Sequence, residues 1–392
     1  MDREPWRSFL KRWSEEWIAS RDPGEGEPLD EAVVRDGWLG FEPASGAEIA
    51  AAEARLGRPL PPSLREFLLV SNGWRNAGEF IYQLAGTAEL GWLRDLDDGG
   101  WLGSYSDAYD SGFDEDEDYR VTPLLRRALQ LSLDGDMAIM FLDPGDVDSE
   151  GEWAGYWLSS WSGNGPERHD SFYDLMYSQY ASFHSLRKPA GGTRDAWEAK
   201  VEQARLDALD GQIEGPLAVL EEAQEFGVER AALLRFQLLA MLGHWHTVPM
   251  SQLVLGPDDA LLRDPLFAAE LLPLLFAEDR IEERQDRFAL EHLMEMGPEP
   301  AQLMIAEYQA RLRDPGFRLS YGNPAFDEAV HRVADGLEAD AWPALRDAIS
   351  LWRPLSEDHI APIVLFADPG LAELITEDRG REILSMRRGD RR

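Results

Sequence analysis

Apolar residues recur in two different rhythms along this chain, and the change of rhythm divides it. Near the amino terminus Trp6, Phe9, Leu10, Trp13 and Trp17 fall at three- and four-residue steps, the pattern of one helix face. Arg21 to Glu27, with its Pro and Gly residues, reads as a linker. Two short helices follow. Ser45-Gly46-Ala47-Glu48 is a capping box, in which the Ser oxygen takes an amide at the helix start and the Glu reaches back. Ile49, Ala52 and Leu56 then line one face, and Gly57 with Pro59 ends it. Ser63-Leu64-Arg65-Glu66 reads as a second capping box, leading Phe67 and Leu68 into a core and closing at the left-handed turn Asn72-Gly73.

The next runs alternate too quickly for helices. Phe80-Ile81-Tyr82-Gln83-Leu84 is short and β-prone. Met137 to Leu142 is a continuous apolar run between turn residues, which predicts a central strand, and Trp153 to Leu158 reads as its hairpin neighbour. A helix from about Ser171 carries Phe172, Leu175, Met176, Tyr180 and Phe183 on one stripe. Together these predict an α+β domain over residues 1–188, a small antiparallel sheet flanked by helices and preceded by an amino-terminal helix.

Lys188-Pro189-Ala190-Gly191-Gly192-Thr193 marks the break, and an all-helical domain is expected over 193–392. Leu217, Leu220, Ala223 and Phe226 line one helix that ends at Gly227; Leu233, Phe236, Leu239 and Ala240 line the next. That pair resembles one unit of a tetratricopeptide-like array, in which each helix pair buries its face against its neighbours. Further helices are expected near Pro265, Arg280, Pro298, Pro324 and Trp342, forming a helical repeat or an irregular bundle.

In the first half, Glu53-Ala54-Arg55-Leu56-Gly57-Arg58-Pro59-Leu60-Pro61, then Leu64-Arg65-Glu66-Phe67-Leu68 and Asn72-Gly73-Trp74, resembles the signature of the SUKH superfamily. The resemblance extends over about residues 30–186, departing from the family at an aromatic-acidic insertion from Trp101 to Tyr119 and at the long carboxy-terminal extension. Fungal members regulate cell-wall assembly, and many bacterial members are immunity proteins that neutralise polymorphic toxins, often nucleases. The resemblance therefore implies a binding fold and no catalysis.

Charge sharpens that expectation. With 74 acids against 38 bases the formal net charge is −36, which repels nucleic acid and anionic membranes and steers basic proteins. The absence of cysteine excludes disulfides, thiol catalysis and thiolate metal sites. The amino terminus lacks the basic start and apolar run of a signal peptide, and Leu271 to Phe276 is too short to cross a bilayer, so a cytoplasmic location is expected.

Candidate chemistry is sparse. Asp146-Val147-Asp148-Ser149-Glu150-Gly151 begins like a calcium loop, but Trp157 stands where the bidentate Glu belongs. His244-Trp245-His246 at a helix end is explained better by carbonyl capping or solvent exposure than by metal binding. In His169-Asp170-Ser171, Asp170 or Ser171 capping the following helix is a simpler reading than a triad. No phosphate loop is present. No enzyme, cofactor or metal site is expected.

The residues expected to bind a partner are acidic and aromatic. Asp95, Asp97, Asp98 and the run Asp114-Glu115-Asp116-Glu117-Asp118 would steer a basic protein, possible nuclease-type toxins included, and mimic phosphate. Trp101, Tyr105 and Tyr109 would supply buried contact area from loops between Gly91 and Gly112. The leading expectation is an immunity protein of a toxin–antitoxin pair. Its rival is a regulatory scaffold acting through the helical half.

Overall fold

The computed structural model describes residues 4–21, 29–97, 100–110, 118–244, 253, 259–279, 287–336 and 341–388. Of residues 106–110, 118–120, 259, 279, 287 and 288 it describes the backbone alone. The chain forms two units, one of residues 1–195 with 225–227 and the other of 196–224 with 228–392.

The first unit runs α1 (Trp6–Ser20), α2 (Glu31–Asp36), α3 (Gly46–Leu56), α4 (Pro62–Leu68), β1 (Trp74–Arg75), β2 (Ile81–Leu84) and β3 (Gly91–Trp92). It continues through α5 (Leu93–Leu96), α6 (Trp101–Asp110), α7 (Asp118–Arg127), β4 (Leu129–Gln130), β5 (Ser132–Gly135), β6 (Ala138–Val147), β7 (Trp153–Ser159), β8 (Glu167–His169) and α8 (Phe172–Arg187). The strands build two antiparallel sheets, β1-β2-β5 and β3-β4-β6-β7-β8. The predicted hairpin is the centre of the larger sheet, with Phe141 opposite Tyr156 and their rings stacked 5.4 Å apart.

The aromatic stripe of α1 is wholly committed to packing. Trp6 lies 5.3 Å from Phe67 and 5.5 Å from Phe172, Trp13 lies 6.0 Å from Trp74, and Trp17 lies 5.0 Å from Phe183. Tilted and edge-on pairs at such distances contribute roughly 0.5–1.5 kcal/mol each beyond the area they bury. Below the stripe, Glu16 accepts hydrogen bonds from the Tyr180 hydroxyl and, at 2.9 Å, from His184 Nε2. Burial alone would raise this carboxyl, yet bonds from His184, Thr193 and Tyr180 hold it below the ordinary glutamate value.

Strand β7 sorts its side chains to two faces. Ala154, Tyr156 and Leu158 pack with Ile139, Phe141, Leu124 and Leu125 under α7. Gly155 faces the other way, directly beneath α8, where an added Cβ would lie 3.0 Å from Leu175 Cβ and 3.1 Å from the Ser171 carbonyl oxygen. Helices therefore cover both faces of the sheet.

Local signals fare unequally. The Ser45–Glu48 capping box is present in full, and Ser171 caps α8 through the Asp174 amide. Gly73 adopts φ 105° at the expected turn. The second capping box is not formed: α4 starts at Pro62, which puts Ser63 inside the helix. Its orphan amide and hydroxyl are instead bound by the buried Glu152, at 3.0 and 2.6 Å. Met137 was expected inside the central strand. It stands just before it, at φ 49° and 62% exposed. The expected loops between Gly91 and Gly112 contain α5 and all of α6, and Asp97 caps the latter.

The second unit is helical, with helices at Glu299–Leu312, Pro324–Asp335 and Trp342–Ile349 close to three of the expected starts. The start expected near Arg280 lies outside the described residues. The helices are joined by irregular pieces whose backbone is satisfied from side chains. Buried Gln237 accepts from the amides of Ile360 (2.8 Å) and Ala361 and donates to the carbonyls of Leu233 and Asp358. Arg388, also buried, donates to the carbonyls of Ile360, Ile383, Leu384, Met386 and Ala208. Burial pushes this guanidinium down to about 10, still charged at neutral pH. Each buried acceptor left unpaired costs about 1–3 kcal/mol, so Arg388→Met is expected to destabilise the protein by at least roughly 2 kcal/mol. Urea unfolding followed by circular dichroism checks this, and an unchanged midpoint contradicts it.

Candidate functional site

The residues singled out in the acidic-aromatic segment do not all play one part. Asp97 is an internal cap: its carboxylate oxygens accept from the amides of Trp101 (2.8 Å) and Leu102 (2.9 Å) at the start of α6. Trp101 and Tyr105 are partly buried, packed against the cluster of Leu93, Val121, Ile139 and Phe141. Asp95 is exposed, 3.8 Å from Arg94. Tyr109 and Asp118 belong to the backbones of α6 and α7, but their side chains lie outside the described residues. Asp98, Asp114, Glu115, Asp116 and Glu117 lie outside them altogether.

Trp101, Tyr105 and Asp97 nevertheless share one cleft of about 780 Å³ with residues that sequence reasoning passed over. Leu96, Leu133 and Met137 line the same space, and they are 38%, 40% and 62% exposed. Large exposed apolar side chains gathered at a concave site mark a contact surface. Met137 is held there at some cost, since a non-glycine residue in left-handed backbone is strained by about 1–2 kcal/mol. Its carbonyl is anchored by the Ser160 amide at 3.0 Å.

The polar lining suits a donor-rich guest. Gln130 donates through Nε2 to the Ser132 carbonyl at 2.7 Å, which leaves buried Oε1 with no hydrogen-bond partner among the described residues. Asp134 and Glu89 line the cleft, and Arg55 is already turned to the carbonyls of Thr87 and Leu90. On β2, the neighbour of β5, Tyr82 is 44% exposed, and its phenol is pushed up. Burial leads that shift, and the carboxylates of Asp136, Asp134 and Glu79 add to it in the same direction. The one signal for Met137 is its place immediately after Gly135-Asp136, a turn dipeptide that presents the next side chain outward.

The remaining candidates resolve into structural roles. Asp146 is bound by Arg168 at 2.7 Å and by the Tyr156 hydroxyl, and Asp148 accepts from the amides of Glu150 and Glu152. Ser171 is occupied as the cap of α8, and Asp170 pairs with Arg168. Trp245 and His246 lie outside the described residues. No helix is long and apolar enough to cross a membrane among the described residues.

The first unit is thus a small α+β domain with one cleft lined by both acidic and apolar side chains. Residues 43–178 match the model of the SMI1 / KNR4 family (SUKH-1), so this part of the chain is a SUKH-type domain. The match runs from before α3 into α8 and includes the whole cleft. Comparison with curated proteins and with solved structures gave no match.

His169 offers a pH readout of the domain. Burial depresses its imidazole below the ordinary value, more strongly than Glu167, Asp174 and Asp170 raise it. An unfolded histidine binds its proton at about pH 6.5, so below that the unfolded chain holds more protons than the folded one. Stability contributed at neutral pH is thus lost as pH falls from about 6.5 towards the folded value. The wild type is expected to lose melting temperature relative to His169→Gln between about pH 7.5 and 5. Parallel curves would contradict this assignment.

Proposed function

We propose that the protein is a non-catalytic immunity protein, which neutralises a basic protein toxin by seating one of its cationic, apolar-flanked segments in the cleft beside α6. The observation that carries this reading is the cleft itself. It combines exposed Met137, Leu133 and Leu96, partly buried Trp101 and Tyr105, the buried Gln130 Oε1, unpaired among the described residues, and the carboxylates of Asp134 and Glu89. Apolar anchors set the lifetime of such a complex, while acids at the rim set its rate of formation. Asp95, Asp98 and the run Asp114 to Asp118 add to the steering field in this reading. The SUKH-type domain supports a binding role of the immunity kind.

The test begins with capture of partners at low salt from lysate of the protein's own source, in parallel with a Met137→Ser/Asp134→Ser variant. A single basic protein held by the wild type, released by rising salt and lost by the variant is the expected result. Its toxicity should then be suppressed by the wild type alone. Against that partner, Asp134→Ser/Asp136→Ser is expected to slow association about three- to tenfold at low salt and hardly at all at high salt. Met137→Ser is expected to speed dissociation about tenfold. Capture of several unrelated proteins, unaffected by either variant, would instead favour a scaffold.

A further inference from the structure

The opposite face of the sheet carries a second groove, and its chemistry differs from that of the cleft. It lies between β7–β8 and α8, with a volume of about 730 Å³. Phe80, Trp157 and Tyr177 supply aromatic walls, while Ser178, Ala181 and Ser182 of α8 keep the helix side shallow. Trp161 stands beside the walls, 4.9 Å from Phe80, 6.1 Å from Trp157 and 47% exposed.

Two polar atoms buried just behind the groove wall lack hydrogen-bond partners among the described residues. They are the indole Nε1 of Trp157 and Nε2 of His169, whose nearest carboxylate, Glu167, is 3.6 Å away. Both side chains lie on the α8 face because β7 pairs Gly155 with His169 and Trp157 with Glu167. A small shift of the Trp157 ring would turn this buried, unmet indole N–H towards a backbone carbonyl in the groove that has no partner of its own.

Charge points the same way. Arg168, the cation of the groove, is consumed by Asp146 and Asp170. Glu167 remains 58% exposed at the rim, and Asp174 lies further along.

We propose that this groove binds an extended, proline-containing peptide segment bearing a basic residue. Such a segment in the polyproline II form has no internal hydrogen bonds, so its carbonyls are free to accept from Trp157 Nε1 once the indole turns outward. Its pyrrolidine rings stack on aromatic walls, and it loses little entropy on docking. The basic residue sits against Glu167. This site is separate from the toxin cleft and does not depend on it.

The experiment uses the full chain and a fluorescein-labelled polyproline peptide with an arginine at each end, titrated by fluorescence anisotropy up to about 1 mM, the range of weak specific affinities. Saturable binding is expected. Trp161→Ala, at a half-exposed side chain and with folding checked by circular dichroism, should weaken it at least tenfold. Trp157→Phe keeps a ring but removes the N–H, and should weaken it about fivefold. Glu167→Gln should abolish the preference over a serine-flanked polyproline peptide. Met137→Ser, in the other cleft, should leave binding unchanged, so failure here and failure of the immunity reading are distinguishable. The proposal is overturned by absence of saturation, by equal binding of a glycine-serine peptide with the same arginines, or by indifference to both tryptophan variants.

Discussion

Close approach of α8 to β7 at Gly155 is the constraint on which the rest of the first unit depends. A side chain there would collide with Leu175 and with the Ser171 carbonyl, lifting the helix from the sheet. With the helix pressed down, Phe172 and Phe183 reach the tryptophans of α1, and Tyr180 and His184 reach Glu16. The other face of the same strand is then free to hold α7 and, through it, the cleft beside α6. One missing methyl group thereby fixes two layers of helices and both grooves. Close packing makes that dependence steep, because interiors have no slack into which a displaced helix could settle.

The carboxylates divide into those that hold structure and those that face outward. Glu48, Glu152 and Asp97 satisfy helix starts, and buried Asp143 meets Arg127 with two bonds of 2.6 Å. Among the described residues Asp134 and Asp136 have no such duty, and their charges add to burial in raising the Tyr82 phenol. A net charge of −36 is therefore not a uniform coating. Its local meaning depends on which acids remain uncommitted, and only contacts between distant residues reveal that.

This explains what was legible in the sequence. The stripe from Trp6 to Trp17, the capping box at Ser45, the hairpin of β6 and β7 and the cap at Ser171 are local patterns, and each is formed. The family signature around Leu56-Gly57 and Asn72-Gly73 is equally local and was readable for the same reason. The cleft was half legible: Trp101 and Tyr105 line it, but Leu133 and Met137 reach it across the fold from β5 and the turn that follows. Asp97 looked like a steering charge because nothing in its own neighbourhood says that α6 begins four residues later. The helix starts in the second unit were marked by Pro298 and Pro324, whereas Gln237 and Arg388 act on backbone far along the chain and gave no signal.

Glu152 also governs how the first unit assembles. The amide of Ser63 near the start of α4 is bound by a carboxylate that arrives 89 residues later in the chain, on the connection between β6 and β7. A helix of seven residues cannot sustain itself in water, and this one has no side-chain cap of its own. The α3–α4 pair, the most recognisable stretch of the sequence, is thus not an autonomous nucleus. Its second helix is completed only once the hairpin has formed, which ties an apparently local motif to a slow, long-range closure. A chain emerging from the ribosome would hold its family signature unfinished until β7 had been made.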